Sequence, residues 1–182
     1  MRLCCRYKSI KRKKLLKKIL KYFNGTVWQQ TELDNNVIKA VKEASSIIDV
    51  GCGYNQYKQF NPNKLTGIDI TNSNADWVGD ILNYKTDQTF QLAICFGCLH
   101  FYNFEWVKTR LEKVLALLLP TGIIMMKVNP GIDSKYPLPF FKHWTWPLAE
   151  HFAEVYNLQI SNKHEWYNPN EGSKRLKWTY SK

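Results

Sequence analysis

Short apolar segments alternate along most of the chain with turns that contain polar residues or glycine. The five segments with the length of buried strands are residues 46–50, 65–68, 76–79, 90–95 and 122–128. Apolar residues recur at helical spacing over residues 31–44, with Thr31 as the predicted cap, and over residues 104–119, which Pro120-Thr121-Gly122 ends. This alternation predicts an α/β fold, a doubly wound, mostly parallel sheet with helices on both faces.

Two regions depart from the strand-helix alternation. A full helical crossover needs roughly a dozen residues, and the step from Asp69 to Trp77 is shorter, so the helix there is reduced to a turn or lost. After Pro147 a helix is predicted to about Tyr156. Two strands then follow at residues 158–166 and 175–180, around a loop of turn-forming residues. These two strands are predicted to be antiparallel, which gives the sheet an antiparallel C-terminal strand.

The positive charge of the chain is concentrated at its N-terminus. Of the 182 residues, which carry a net charge of +11, residues 1–31 hold ten basic side chains and no acid. Residues 32–182 hold the other 16 basic residues and all 15 acidic residues. We therefore divide the chain into a basic amphipathic arm, residues 1–30, and a single domain, residues 31–182. The arm is predicted to be a helix that either packs its apolar stripe on the domain or binds nucleic acid through residues 2–21, in preference to a membrane surface.

Cysteine usage and apolar run length bear on the compartment. The five cysteines are odd in number and irregularly spaced, and no secretory signal is recognisable, which favours a reducing, cytoplasmic compartment. The longest apolar runs are far below the roughly 20 residues of a membrane span. Cys95 and Cys98 form a C-x-x-C pair at the end of a predicted strand, where packing is favoured over redox chemistry or metal binding. No metal site is predicted.

Polar residues and glycines follow the predicted strands at their carboxyl ends, which share one edge of a parallel sheet. Gly51 and Gly53 form the first strand-to-helix turn, where a ligand can approach the backbone. Asp69, eighteen residues after Gly51, ends the second strand, where an acid can accept hydrogen bonds from both ribose hydroxyls. A dinucleotide site needs glycine or alanine at position 56, where this chain has Gln56. The P-loop pattern is also absent. The ligand is therefore predicted to contain a nucleoside but no pyrophosphate.

These segments together resemble the class I, Rossmann-like methyltransferases that depend on S-adenosylmethionine, over residues 46 to about 180. The run from Asp49 to Gly53 is similar to their glycine-rich first motif, and Asp69 to their ribose-binding acid. Asp80 is similar to their acid beside the adenine. Phe96 to His100 resemble the loop after strand four that flanks the cofactor and faces the substrate. The resemblance implies cofactor contacts from Asp49, Gly51, Cys52, Gly53, Asn55, Asp69, Ile70, Asp80, Ile81, Phe96, Gly97 and Cys98.

One position departs from the family pattern. Asn55 stands where a third glycine is frequent, although asparagine also tolerates a positive φ and this cofactor has no phosphate to accommodate. More loosely, the run from Gly51 to Asn55 with Lys58, and the later run from Val128 to Gly131, are similar to short methyltransferases of bacteriophage genomes.

The resemblance implies methyl transfer from S-adenosylmethionine to an acceptor, with S-adenosylhomocysteine as the product. His100 is the candidate base, because an unperturbed imidazole titrates near neutrality, and Tyr102 and Asn129 are candidates for positioning the acceptor. A small-molecule acceptor is favoured, because the loop after strand four lacks the Asn/Asp-Pro-Pro-Phe/Tyr sequence typical of base N-methylation. A nucleic-acid methyltransferase that uses the basic arm and a non-catalytic nucleic-acid-binding module are the alternatives.

Overall fold

A computed structural model describes residues 33–130, 144–169 and 173–182. Its strands are β1 (Ile47–Val50), β2 (Leu65–Asp69), β3 (Trp77–Val78), β4 (Phe90–Phe96), β5 (Leu118–Val128), β6 (Gln159–Asn168) and β7 (Ser173–Ser181). Its α-helices are α1 (Asn35–Glu43), α2 (Phe104–Ala116) and α3 (Trp146–Val155), and two short 3-10 helices span Gln56–Phe60 and Ile81–Asn83. The predicted basic arm and Thr31 lie outside the described residues, so the division at residue 30 stays a prediction.

The described strands form one sheet in the order β3-β2-β1-β4-β5-β7-β6. Strands β1 to β5 are parallel, whereas β7 runs antiparallel to both β5 and β6. The predicted doubly wound sheet with its antiparallel C-terminal strand is confirmed. Successive strands add outward from β1 on one side and from β4 on the other, so the order reverses between these two strands. Ligands bind at such a reversal in open α/β sheets, outside the carboxyl ends of the strands.

Helices cover both faces of the sheet, as predicted. Val107 of α2 and Phe152 of α3 pack in the cluster that covers one face, and Val37 and Val41 of α1 pack in the cluster on the other. Each helix begins at a side-chain cap: Asp34 precedes α1, Asn103 precedes α2 and Thr145 precedes α3. Among the described residues, no helix has both the length and the apolar character needed to cross a bilayer.

The connection from α2 to β5 differs from the prediction. The helix ends at Ala116, and β5 begins at Leu118 and continues through the Pro-Thr-Gly sequence that we expected to separate the two elements. Leu118 pairs with Phe90, but the next pair is Leu92 with Ile123, so the intervening residues of β5 form an irregularity. A proline is tolerated there because the ladder does not require its missing N–H. The predicted loss of a helix between β2 and β3 is confirmed.

Candidate active site at the carboxyl edge of the sheet

The turn after β1 brings backbone to the carboxyl edge of the sheet. The amides of Gly51 and Cys52 both donate to the Ile68 carbonyl oxygen, at 2.7 and 3.0 Å. Gly51 has a φ of 71°, and a Cβ there would overlap Cβ of Cys98 in the loop after β4. Gly53 has a φ of 53°, and a Cβ there would meet no atom within 4 Å. The first glycine is thus required by close packing, and the second leaves open space beside the backbone.

The carboxylate of Asp69 is fixed by backbone amides from two loops. Its Oδ2 accepts from the amide of Gly53 at 3.0 Å, and its Oδ1 accepts from the amides of Thr71 and Asn72, each at 2.9 Å. A carboxylate offers about four acceptor positions, so Oδ2 retains capacity for a further hydrogen bond. Asp69 therefore joins the glycine turn to the end of β2 and can also accept from a ligand hydroxyl. Ile70 follows Asp69 at this edge and is half-buried.

Asn55 adopts the left-handed conformation that the sequence analysis anticipated, with a φ of 56°. Its side chain is directed at the loop before β3, because Nδ2 donates to the Asn74 carbonyl oxygen at 3.1 Å and to Oδ2 of Asp76 at 3.3 Å. It also lies against Gly67, where a Cβ would overlap the Asn55 amide group. The backbone of Asn55 thus shapes the turn, and its side chain packs against β2 and hydrogen-bonds the loop before β3.

Asp80 pairs with a basic residue that the sequence analysis did not identify. Asp80 caps the short helix that contains the buried Ile81, because its Oδ1 accepts from the amide of Leu82. Its Oδ2 accepts from Nη2 of Arg110. Both partners of this ion pair are largely buried, and the Arg110 guanidinium lies 3.8 Å from the ring centroid of Trp106. The only signal in the sequence was the spacing of Trp106 and Arg110, one turn apart in an amphipathic helix.

The loop after β4 carries His100 into the protein interior. The His100 side chain is 3% exposed, and the amide of Gly97 in this loop donates to the Lys127 carbonyl oxygen at 2.8 Å. Burial, together with the positive charges of Arg175 and Lys127, lowers the pKa of His100 to about 3. The imidazole is therefore neutral at pH 7 and weakly basic, unlike the unperturbed imidazole on which the predicted role as a base was founded.

Tyr102 and Asn129 present polar atoms at the same edge. The Tyr102 hydroxyl and the Asn129 Oδ1 are buried and have no hydrogen-bond partner within the parts of the chain that the structure describes. Burial raises the pKa of Tyr102 to about 12, so its hydroxyl remains a donor at neutral pH. Leaving such an atom unsatisfied costs about 1–3 kcal/mol, so a bound molecule that supplies the missing partner is stabilised.

The thiols near the site are protonated. Burial raises the pKa of both Cys52 and Cys98, and the carboxylates of Asp49 and Asp69 raise it further. Cys95 is fully buried in the core, and Cys98 fills the space left by Gly51. Among the described residues, no group of three or more potential ligand side chains could hold a metal ion.

Asp49 is a buried carboxyl at the end of β1. Burial, with a smaller effect of the neighbouring Asp69 charge, raises its pKa from 3.8 to about 7. The folded state thus favours the protonated form, a contribution that is fully present below pH 3.8 and is lost as the pH rises through 7. We expect Asp49→Asn to raise the free energy of unfolding relative to wild type by an amount that grows from pH 4 to pH 7 and is constant above.

Urea denaturation at pH 5 and pH 8 checks this prediction for Asp49. The matched control is Asp87→Asn, which makes the same substitution at an exposed position. An Asp49→Asn variant that is less stable than wild type at pH 8 would show that the ionised carboxylate makes favourable interactions in the folded protein.

Comparison with known proteins agrees with this geometry at the level of the fold. No family model and no curated protein matches the sequence. Among solved structures, the 1,6-didemethyltoxoflavin-N1-methyltransferase of Burkholderia thailandensis, bound to 1,6-didemethyltoxoflavin and S-adenosylhomocysteine, superimposes with a TM-score of 0.68. The match covers 97% of this chain and 89% of that chain, at 18% identity.

Two further structures with bound S-adenosylhomocysteine match over similar lengths. The N-methyltransferase NodS of Bradyrhizobium japonicum has a TM-score of 0.66 at 13% identity and covers 92% of this chain and 98% of its own. The magnesium protoporphyrin IX methyltransferase of Synechocystis has a TM-score of 0.64 at 11% identity, and the match covers 92% of this chain and 99% of that chain. This chain therefore has the Rossmann-like fold of these methyltransferases.

Proposed function

We propose that this protein is an S-adenosylmethionine-dependent methyltransferase that acts on a small-molecule acceptor. The observation that carries the proposal is the Asp69 carboxylate, which three backbone amides hold beside the open glycine turn at the carboxyl edge of the sheet. An acid at this position is suited to binding a hydroxyl of a ribose. The fold supports the same conclusion, since the structural neighbours named above hold S-adenosylhomocysteine.

The described residues fit an adenosyl ligand without phosphate groups. Gly53 leaves open space beside the backbone, and Asp69 keeps an unused acceptor position on Oδ2. The buried Tyr102 hydroxyl and Asn129 Oδ1 provide one donor and one acceptor for the bound molecules. We assign cofactor contacts to the turn after β1, to Asp69 and Ile70, to Asp80 and Ile81, and to the loop from Phe96 to Cys98.

When bound, S-adenosylmethionine supplies a methyl carbon whose bond to the sulfonium sulfur breaks as its bond to the acceptor atom forms, and the sulfur keeps the electron pair as a neutral thioether. The residues of this chain contribute alignment and exclusion of water, which supply most of the acceleration in such a displacement. Tyr102 and Asn129 orient the acceptor. His100, with its lowered pKa, takes up a proton poorly, so a proton on the acceptor atom leaves to solvent or has left before the reaction.

The loop after β4 and the structural neighbours support a small-molecule acceptor. The loop reads Cys98-Leu99-His100-Phe101, without the paired prolines of base N-methylation. One neighbour holds the small molecule 1,6-didemethyltoxoflavin together with S-adenosylhomocysteine. A small-molecule acceptor is therefore proposed in preference to nucleic acid.

Titration calorimetry of the full chain with S-adenosylhomocysteine tests the proposal. We expect micromolar affinity and a matching rise in melting temperature. The absence of both effects would contradict the proposed function. A second outcome is that the protein binds S-adenosylhomocysteine and also binds RNA or DNA in a salt-sensitive way that is lost when residues 1–23 are deleted. That outcome would identify the acceptor as nucleic acid and not as a small molecule. The same binding without affinity for S-adenosylhomocysteine would identify a non-catalytic module.

A further inference from the structure

We propose that the methyl acceptor carries an anionic group, a carboxylate or a phosphate, and that Lys127 at the carboxyl end of β5 binds it. This inference deepens the proposed function and rests on it, because the anion is part of an acceptor only if the protein transfers a methyl group. The anion site itself depends on the position, the surroundings and the charge of Lys127.

Lys127 lies where β4 and β5 reach the candidate site. It is the second-last residue of β5 and pairs in register with Phe96, the last residue of β4. Its carbonyl oxygen accepts from the amide of Gly97, and its Nζ lies 4.8 Å from the centroid of the Phe96 ring. Two residues further on is Asn129, whose buried Oδ1 lacks a partner among the described residues. Lys127 is thus anchored to the loop that faces the proposed acceptor.

The ammonium group of Lys127 lacks a counterion in the described parts of the chain. Lys177, which lies directly opposite Lys127 in β7, forms an ion pair with Asp34. No described carboxylate lies within ion-pair distance of Lys127, and Asp34 acts on it only at longer range. Burial and the charge of Arg175 lower the pKa of Lys127. A half-buried cation that is repelled by its neighbours is costly to the folded state, and a bound anion removes that cost.

A second cationic side chain converges on the same region. Arg175 of β7 is 5% exposed, and its charge acts on both Lys127 and His100. The two positive charges thus act on the neutral imidazole from neighbouring strands, and Lys127 lies two residues before Asn129, which is placed for the acceptor. The Lys127 ammonium group attracts an anion and repels a cationic acceptor. The aromatic face of Phe96 attracts Lys127, but less strongly than a carboxylate or phosphate would.

The test uses the full chain saturated with S-adenosylhomocysteine. Its melting temperature and the calorimetric heat of binding are measured on addition of inorganic phosphate or acetate. Sodium chloride at equal ionic strength is the reference. We expect phosphate or acetate to stabilise the wild-type protein, and a preference between them distinguishes the two anion types. Lys127→Met keeps the buried stem and should lose at least tenfold in anion affinity, with the affinity for S-adenosylhomocysteine within about twofold of wild type.

Two variants control for unfolding and for general loss of charge. Lys127→Arg keeps the charge and should retain anion binding. Lys163→Met removes an exposed lysine that pairs with Glu150 and should behave as wild type. Anion binding that is absent from a wild-type protein that binds S-adenosylhomocysteine, or that is unchanged in Lys127→Met, would overturn this inference and leave the proposed function intact. Failure to bind S-adenosylhomocysteine, with anion binding that still depends on Lys127, would contradict the function and support the anion site.

Discussion

Replacing Asp69 by alanine is expected to lower the affinity for S-adenosylhomocysteine by about 10- to 100-fold. A hydrogen bond from a ribose hydroxyl to the remaining acceptor position on Oδ2 contributes about 1.5–3 kcal/mol, and a loss of about 2.8 kcal/mol corresponds to a factor of 100. The substitution also removes the acceptor that the amide of Gly53 uses, so the glycine turn loses its link to β2. Titration calorimetry on the wild-type and variant proteins measures the difference directly.

Two further variants separate ligand binding from loop support. Asp69→Asn keeps one acceptor oxygen but replaces the other by a donor, so it should bind more weakly than wild type and more strongly than Asp69→Ala. Asp87→Ala removes an exposed carboxylate far from these contacts in the sequence and should leave binding unchanged. An Asp69→Ala variant that folds and binds as wild type does would exclude a ribose at this carboxylate and, with it, our assignment of the cofactor site.

The parallel part of the sheet and the edge that holds the site could be predicted because both depend on local patterns. Apolar runs of strand length ended in Gly51, Asp69 and Asp80, and the carboxyl ends of parallel strands lie at one edge whatever the details of packing. The irregularity in β5 could not be predicted in the same way. Its Pro-Thr-Gly sequence is a turn signal, and only the pairing of Leu118 with Phe90 extends the strand through it.

Side-chain partners across the fold were beyond sequence reasoning. Arg110 reaches Asp80 from 30 positions away, and no spacing rule identifies such a pair. Burial of the imidazole, together with the charge of Arg175, which lies far from His100 in the chain, lowers the pKa of His100 below the value expected for a histidine at this position. The residue types at the site were thus predictable, whereas their charge states depend on contacts that form only in the folded protein.

The two glycines of the turn after β1 are expected to respond differently to alanine. Gly51→Ala places a Cβ in overlap with Cys98 at a φ of 71°, so we expect a loss of about 2–4 kcal/mol in the free energy of unfolding. Gly53→Ala has a similar positive φ but no neighbour within 4 Å, so we expect a loss of only about 1 kcal/mol. Urea denaturation of both variants gives the comparison, and Gly51→Ala combined with Cys98→Gly should recover the steric part of the loss.

Binding by the Gly53→Ala variant then tests what occupies the open space beside that residue. If the adenosyl ligand lies against the backbone there, a single methyl group in an otherwise stable protein should reduce the affinity for S-adenosylhomocysteine by at least tenfold, because the ligand can no longer approach. Wild-type affinity in a Gly53→Ala variant that remains folded would place the ligand elsewhere. Because the change in stability is small and the change in binding large, this variant distinguishes a glycine kept for ligand approach from one kept, as at Gly51, for packing.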